Sequence, residues 1–165
     1  AGLAVSDGSV VDERLATGDP AVSAIGDCAR HPCRFAESGA LVRIESVQNA
    51  VDQARCVAAR LAGRSTAPYA AVPWFWSDQG ALKLQIAGLA TPHDRAVARG
   101  DPASGAFSVF CFREGRLAGV ESANRPLDHV FARKLLASGT DLTPEQAADP
   151  GFDLKALAAA APRAA

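Results

Sequence analysis

The chain has 165 residues, of which 48% are hydrophobic and 21% are charged, and its formal net charge is −1. This length allows one or two small domains with a packed core. The balanced charge gives no indication of a nucleic-acid surface, and no apolar run approaches the roughly 18 residues that a membrane-spanning helix needs. The N-terminal residues lack the features of a signal peptide. We therefore expect no nucleic-acid or membrane partner, and a cytoplasmic location.

The cysteines are expected to be free thiols, since nothing in the sequence indicates secretion. They are Cys28, Cys33, Cys56 and Cys111. Cys28 and Cys33 flank His31, but this spacing is not a CxxC pair and no second pair completes a zinc site. We therefore name no metal ligand.

The first forty residues predict short strands and a loop. A hairpin is expected over 5–10, around Asp7-Gly8, and a short apolar strand over 22–25. Residues 28–43 contain Pro and Gly and few periodic apolar positions, so they are expected to form a loop.

A helix is predicted to begin after Ser46 and to end before Gly63, because Ser is a good N-cap and Gly commonly follows the last turn. Apolar residues recur between them at helical spacing, namely Val47, Ala50, Val51, Ala54, Val57, Ala58 and Leu61. The polar, Pro-containing residues 64–73 then predict a boundary between domains 1–63 and 64–165.

The second part predicts a β-sheet with helices, which makes the fold class α+β. Strands are predicted over 82–86, 95–99, 107–112 and 117–123, and helices over 126–138, after Thr143, and over 154–161. The apolar side of the first of these helices is expected to carry Val130, Phe131, Leu135 and Leu136.

Two features of the first part could bind a ligand. Gly26 permits a tight turn, and the Asp27 carboxylate that follows can accept hydrogen bonds from ligand hydroxyls; an ordinary turn pair explains the motif equally well. The helix after Ser46 begins with unpaired N–H groups and about half a unit of positive charge, which suits the N1–C2=O edge of a flavin. An ordinary amphipathic surface helix is the alternative.

Both tryptophans lie close together, at Trp74 and Trp76. In an extended segment this spacing places them on one face. Indole rings there could shield a flat cofactor or anchor a partner protein, or they could form a core aromatic cluster.

Four segments, taken in order, resemble the FAD-dependent, NADH-using ferredoxin reductases of aromatic-ring dioxygenases and bacterial cytochromes P450. The segments are SAIGDCAR, RIESVQNAVDQARCVAARLAG, PWFWSDQGALKLQIAGL and VESANRP. The resemblance implies the end of a glutathione-reductase-like FAD domain over 1–63 and an interface domain, an antiparallel sheet with helices, over 64–165. Because the chain has no GxGxxG loop, we expect it to be the C-terminal portion of such an enzyme and inactive alone.

The resemblance also implies a set of cofactor-binding residues. They are Asp27, Glu45, Ser46, Val47, Trp74 and Trp76. Asp27 would bind the ribityl chain of FAD, and the helix start would lie beside the flavin pyrimidine, with an N–H near Val47 as donor. The tryptophans would lie by the flavin and the ferredoxin-docking face. No proton-transferring catalytic residue is implied.

The implied function is electron transfer from NADH through FAD to a [2Fe–2S] ferredoxin that serves an oxygenase. The implied partners are that ferredoxin and the remaining FAD and NAD domains of the same polypeptide. Two alternatives remain open. One is a non-catalytic interaction or dimerisation module, and the other is part of a related flavin-dependent disulfide or oxygen reductase.

Overall fold

The structure, a computed structural model, describes residues 2–162. It divides into two compact units, Ala1–Pro73 and Trp74–Ala165. The sequence places the boundary earlier, after residue 63. The division falls later because Tyr69 belongs to the first unit, where its main-chain N–H donates to the Glu13 carbonyl at 2.8 Å and its side chain packs against the core.

The first unit combines a three-stranded sheet with one long helix. The first two strands are parallel, and the second and third are antiparallel. Its elements are β1 (Ser9–Val10), β2 (Ala29–Pro32), β3 (Leu41–Arg43), helix α1 (Val47–Leu61), and 3-10 turns at Gly26–Cys28 and Glu37–Gly39.

Two sequence predictions for this unit are wrong. The segment 22–25 forms no strand; only an isolated bridge joins Ala16 and Ser23, and the following residues turn in a 3-10 conformation. The segment 28–43 is not a loop, since it contains β2 and β3. Strands this short depend on pairing with each other, so local sequence carries little signal for them. The hairpin at 5–10 is confirmed as a single antiparallel bridge between Val5 and Ser9.

Helix α1 has the predicted ends, but the residues that it buries most completely are polar. The Ser46 hydroxyl accepts from the Asn49 N–H at 3.1 Å, which confirms the N-cap. The buried residues of the helix are the polar Asn49 and Gln53. Val57, from the predicted apolar pattern, is partly buried against the core, whereas Leu61 is 77% exposed. The inward face of α1 therefore combines apolar packing with two buried polar side chains, which need hydrogen-bond partners.

The second unit is a five-stranded antiparallel sheet with strand order β4-β5-β8-β7-β6, which confirms the α+β class. Helix α2 packs on β5 and β8, α3 packs on β6 and β7, and α4 packs on α2. The elements are β4 (Trp74–Gln79), β5 (Leu82–Gly88), β6 (Arg95–Asp101), β7 (Ala106–Arg113), β8 (Arg116–Ala123), α2 (Pro126–Ser138), α3 (Pro144–Ala148) and α4 (Leu154–Ala160).

One of the residues that were predicted on the apolar side of helix α2 is not buried. Val130 is 40% exposed, whereas Leu135 and Leu136 are buried as expected. The stripe that faces the sheet also includes two buried polar residues, Asp128 and His129. The Asp128 carboxylate forms an ion pair with buried Arg99 at 3.6 Å, as a buried charge requires.

Candidate functional site

Asp27 lies in the middle of the 3-10 turn Gly26–Cys28, not at the end of a strand. Gly26 is buried and has φ +70°, and a Cβ built on it would lie 3.3 Å from the Cβ of Ala50. Glycine therefore lets the turn pack directly on α1. The Asp27 side chain is exposed, and within residues 2–162 its carboxylate has no hydrogen bond or ion pair.

The start of α1 offers main-chain donors beside this turn. Only the Asn49 N–H is satisfied by the Ser46 hydroxyl. The N–H groups of Val47 and Gln48, in the first turn, have no partner within the helix. Exposed Val47 adds no side-chain polarity, so the main chain and the helix dipole give this end its affinity for electron-rich groups.

Arg43 joins these two features and was missed by sequence reasoning. Its guanidinium donates to the Asp27 carbonyl at 3.1 Å and forms ion pairs with Glu45 and, at 3.2 Å, with Asp7. The hydrogen bonds that Arg43 donates to Glu45 and Asp7 raise the pKa of its guanidinium. The Glu45 carboxylate is consequently engaged by Arg43.

A buried polar network lies under the same turn. The Gln53 side chain, fully buried, accepts from the Gly26 N–H at 2.7 Å and contacts His31 Nδ1 at 3.3 Å. Burial lowers the pKa of His31, so the imidazole is neutral near pH 7. The Tyr69 hydroxyl donates to Asn49 at 3.1 Å. Sequence reasoning missed Gln53, because a polar position on an amphipathic helix normally indicates its solvent side. The buried role of His31 was missed because residues 28–43 were expected to form a loop.

The tryptophans belong to the second unit, on the edge strand β4. Their ring centroids are 5.3 Å apart, which confirms that they share a face. Trp74 is the more buried ring; it contacts His129 at 5.5 Å, and the guanidinium carbon of Arg133 lies 4.4 Å from its centroid. Trp76 is 40% exposed, and its neighbour Phe75 is 41% exposed. Trp76 therefore offers aromatic surface, whereas Trp74 supports it from beneath.

The expected site residues thus fall into two groups. Asp27, Glu45, Ser46 and Val47 are brought together in the first unit, through the Arg43 contacts and the packing of the 3-10 turn on α1. Trp74 and Trp76 form a separate aromatic pair in the second unit.

Neither a metal cluster nor a membrane span is found in the described part of the chain. Residues 2–162 contain no group of three or more His, Cys, Asp or Glu side chains that could hold a metal ion. None of the helices described there is long and apolar enough to cross a bilayer. The four cysteines are free, and Cys33 and Cys111 are buried.

Comparison with known proteins gives closely similar relatives. Rhodocoxin reductase from Rhodococcus erythropolis is 60% identical over 93% of this chain and 35% of its own length. The ferredoxin reductase for the CYP199A2 system from Rhodopseudomonas palustris is 55% identical, with a TM-score of 0.90 over 95% of this chain and 38% of that one. Putidaredoxin reductase in its covalent complex with putidaredoxin is 39% identical, with a TM-score of 0.89 over 97% and 38%.

These findings confirm the resemblance to ferredoxin reductases of oxygenase systems. The chain spans only 35–38% of the length of these relatives. Residues 1–54 match the pyridine nucleotide-disulphide oxidoreductase family. Residues 74–158, slightly more than half of the chain, match the model of the "Reductase C-terminal" family, and the chain therefore belongs to that family.

Proposed function

We propose that this chain forms part of an FAD-dependent NADH:ferredoxin reductase. In this proposal the first unit closes the FAD domain and the second is the interface domain. One observation carries the proposal. Within residues 2–162, the exposed Asp27 carboxylate has no partner on a turn that packs on α1, and the N–H groups of Val47 and Gln48 have none within that helix. A carboxylate for hydroxyls next to donors for an electron-rich carbonyl edge suits the ribityl and pyrimidine parts of a flavin.

The donor set of the first unit fits FAD. The Asp27 carboxylate would accept hydrogen bonds from ribityl hydroxyls, and the N–H groups of Val47 and Gln48 would donate to the flavin pyrimidine. Ser46 holds the first turn of α1 in shape, and Glu45 acts through its ion pair with Arg43. FAD, when bound, supplies the redox chemistry, accepting a hydride from NADH and releasing electrons singly.

We assign the exposed aromatic surface of β4 to a protein acceptor, a [2Fe–2S] ferredoxin. Trp76 is a large, half-exposed ring on an edge strand, and such rings are common anchors of small interfaces, whereas Phe75 points to the opposite face of the sheet. The relative captured in complex with putidaredoxin supports this class of partner. Trp74 would hold Trp76 in place from the more buried side.

The remaining parts of the reaction would require sequence outside this segment, which spans only 35–38% of the length of its relatives. The pyrophosphate of FAD requires a Gly-rich loop, which this chain lacks, and NADH requires its own domain. We therefore propose that this segment works only together with such domains, in the cytoplasm.

A chimera tests the proposal. This chain replaces the matching segment of rhodocoxin reductase, to which it is 60% identical. The purified chimera should retain FAD, seen as flavin absorbance, and should reduce a [2Fe–2S] ferredoxin with NADH. Asp27→Asn in the same chimera should lower FAD retention. A folded chimera that holds no flavin would contradict the proposal.

The exposed rings also favour a second candidate, a non-catalytic interaction module. Trp76, on one face of β4, or Phe75, on the other, would serve a binding partner in that case too. If the chain is such a module, the chimera should bind ferredoxin but show no flavin absorbance. Flavin absorbance therefore distinguishes the two functions.

A further inference from the structure

The side-chain amide of Gln53 is buried, and both its oxygen and its nitrogen form hydrogen bonds. It is fully buried in the middle of α1, and its Oε1 accepts from the Gly26 N–H at 2.7 Å. Because a main-chain N–H can only donate, the amide oxygen must face Gly26. Its Nε2 then faces the Nδ1 of His31 at 3.3 Å.

His31 fixes the orientation of that amide. It lies on β2, where it pairs with Val42 of β3, and its side chain is 2% exposed. Its neutral Nδ1 accepts from the Gln53 amide, which leaves the proton on Nε2. The amide of Gln53 therefore cannot flip without placing two donors or two acceptors against each other. These two hydrogen bonds connect Gln53 of α1 to Gly26 of the turn and to His31 of β2.

The locked element is the turn that carries Asp27. Gly26 is buried against Ala50 and adopts φ +70°, and the carboxylate of the next residue has no partner within residues 2–162. Removing the acceptor of Gly26 would leave a buried N–H unpaired, and the turn would relieve this by moving away from α1. Such a movement would change the spacing between Asp27 and the first N–H groups of α1.

We infer that Gln53 is a positioning residue of the FAD site, which holds the Asp27 turn at a fixed place against α1 through Gly26. The inference rests on the proposed function. It concerns a residue that does not itself touch the cofactor. Its effect on FAD runs through the Asp27 carboxylate and the donors of Val47 and Gln48.

The test compares three variants. Gln53→Met keeps the volume but removes the acceptor for Gly26. Gln53→Glu keeps an acceptor oxygen for Gly26, and its second oxygen can accept from His31 when the imidazole proton moves to Nδ1, so this variant should rescue the turn. Tyr69→Phe is the matched control, because it removes a hydrogen bond of the same network, to Asn49, without touching the turn.

Two measurements are made. In the 165-residue chain, amide hydrogen exchange at Gly26 should be about tenfold faster in Gln53→Met and unchanged in Tyr69→Phe. In the chimera with rhodocoxin reductase, FAD should bind about tenfold more weakly in Gln53→Met, with an altered flavin absorption spectrum. Gln53→Glu should restore both values to within about threefold of the parent.

The outcomes separate this inference from the proposed function. A parent chimera that does not bind FAD overturns the proposed function and this inference with it. A parent chimera that binds FAD, with Gln53→Met and Tyr69→Phe weakening it equally, overturns the inference alone and makes Gln53 a general stabilising residue. The inference is also overturned if Gln53→Glu restores slow exchange at the Gly26 amide but does not restore FAD binding.

Discussion

The carbonyl oxygen of Asp27 accepts a hydrogen bond from the guanidinium of Arg43 at 3.1 Å. The same guanidinium pairs with Glu45, immediately before the N-cap of α1. One side chain therefore ties the main chain of the Asp27 turn to the segment that enters α1. Arg43 contacts the carbonyl oxygen of Asp27, and the carboxylate of Asp27 has no partner among the residues that the structure describes.

Arg43→Lys is expected to weaken FAD binding several-fold in the chimera while changing stability little. Lysine keeps the charge but cannot contact a carbonyl and two carboxylates with a planar fork. Exposed ion pairs contribute only about 0–1 kcal/mol each, so the free energy of unfolding should change little. Isothermal titration with FAD and urea unfolding measure the two effects. Arg55→Lys, at a surface pair with Asp52, is the control and should change neither.

Asp27→Ala is expected to lower FAD occupancy more than it lowers stability. A hydrogen bond to a charged group is worth about 1.5–3 kcal/mol, and the exposed carboxylate has no partner to lose within the described residues. FAD affinity of the chimera and the thermal midpoint of the apoprotein give the comparison. Equal loss of stability with full flavin content would mean that Asp27 is only a turn residue.

The predictable parts of this fold are those with local signals. Helix α1, the β7–β8 hairpin and the capping box of Thr143 on α3 are determined by caps, periodicity and turn residues, and all three are present. The short strands β2 and β3 were missed because they depend on each other. Gln53 was missed because its buried position follows from tertiary packing, and nothing in the helix pattern distinguishes it from a solvated glutamine.

The chain alone is expected to bind FAD weakly. In the proposed site, Asp27 and the start of α1 would contact only one part of the cofactor, and this chain has no Gly-rich loop to hold the pyrophosphate. Titration of FAD with the 165-residue chain, followed by flavin fluorescence quenching, should give a dissociation constant above about 1 μM. Tighter binding would show that these residues suffice without the loop.

The second unit should lose stability as the pH falls from 6.5 towards 4. Burial, and then the charge of Arg133, lower the pKa of His129 from 6.5 to about 4. The folded state keeps this histidine neutral, whereas the unfolded chain takes up a proton below pH 6.5, so protonation favours unfolding. The loss in the free energy of unfolding grows to about 3 kcal/mol at pH 4 and then levels off at lower pH.

Urea unfolding followed by tryptophan fluorescence measures this dependence, because both tryptophans lie in the second unit. His129→Leu should flatten the stability profile between pH 6.5 and 4, and His93→Gln should leave it as steep as in the parent. An equally steep profile in His129→Leu would contradict the assignment to His129.

In the chimera, Trp76→Ala is expected to impair ferredoxin reduction, whereas Trp74→Ala is expected to lower the stability of the second unit. Trp76 is 40% exposed, so its loss should slow ferredoxin reduction several-fold but leave ferricyanide reduction and stability nearly unchanged. Trp74 packs against His129 and under Arg133, so its loss should lower the free energy of unfolding of the second unit by up to about 3 kcal/mol. NADH-driven reduction of each acceptor, measured beside urea unfolding, separates them. Equal loss of ferredoxin and ferricyanide activity in Trp76→Ala would place this ring in the support of the flavin site instead of the docking surface.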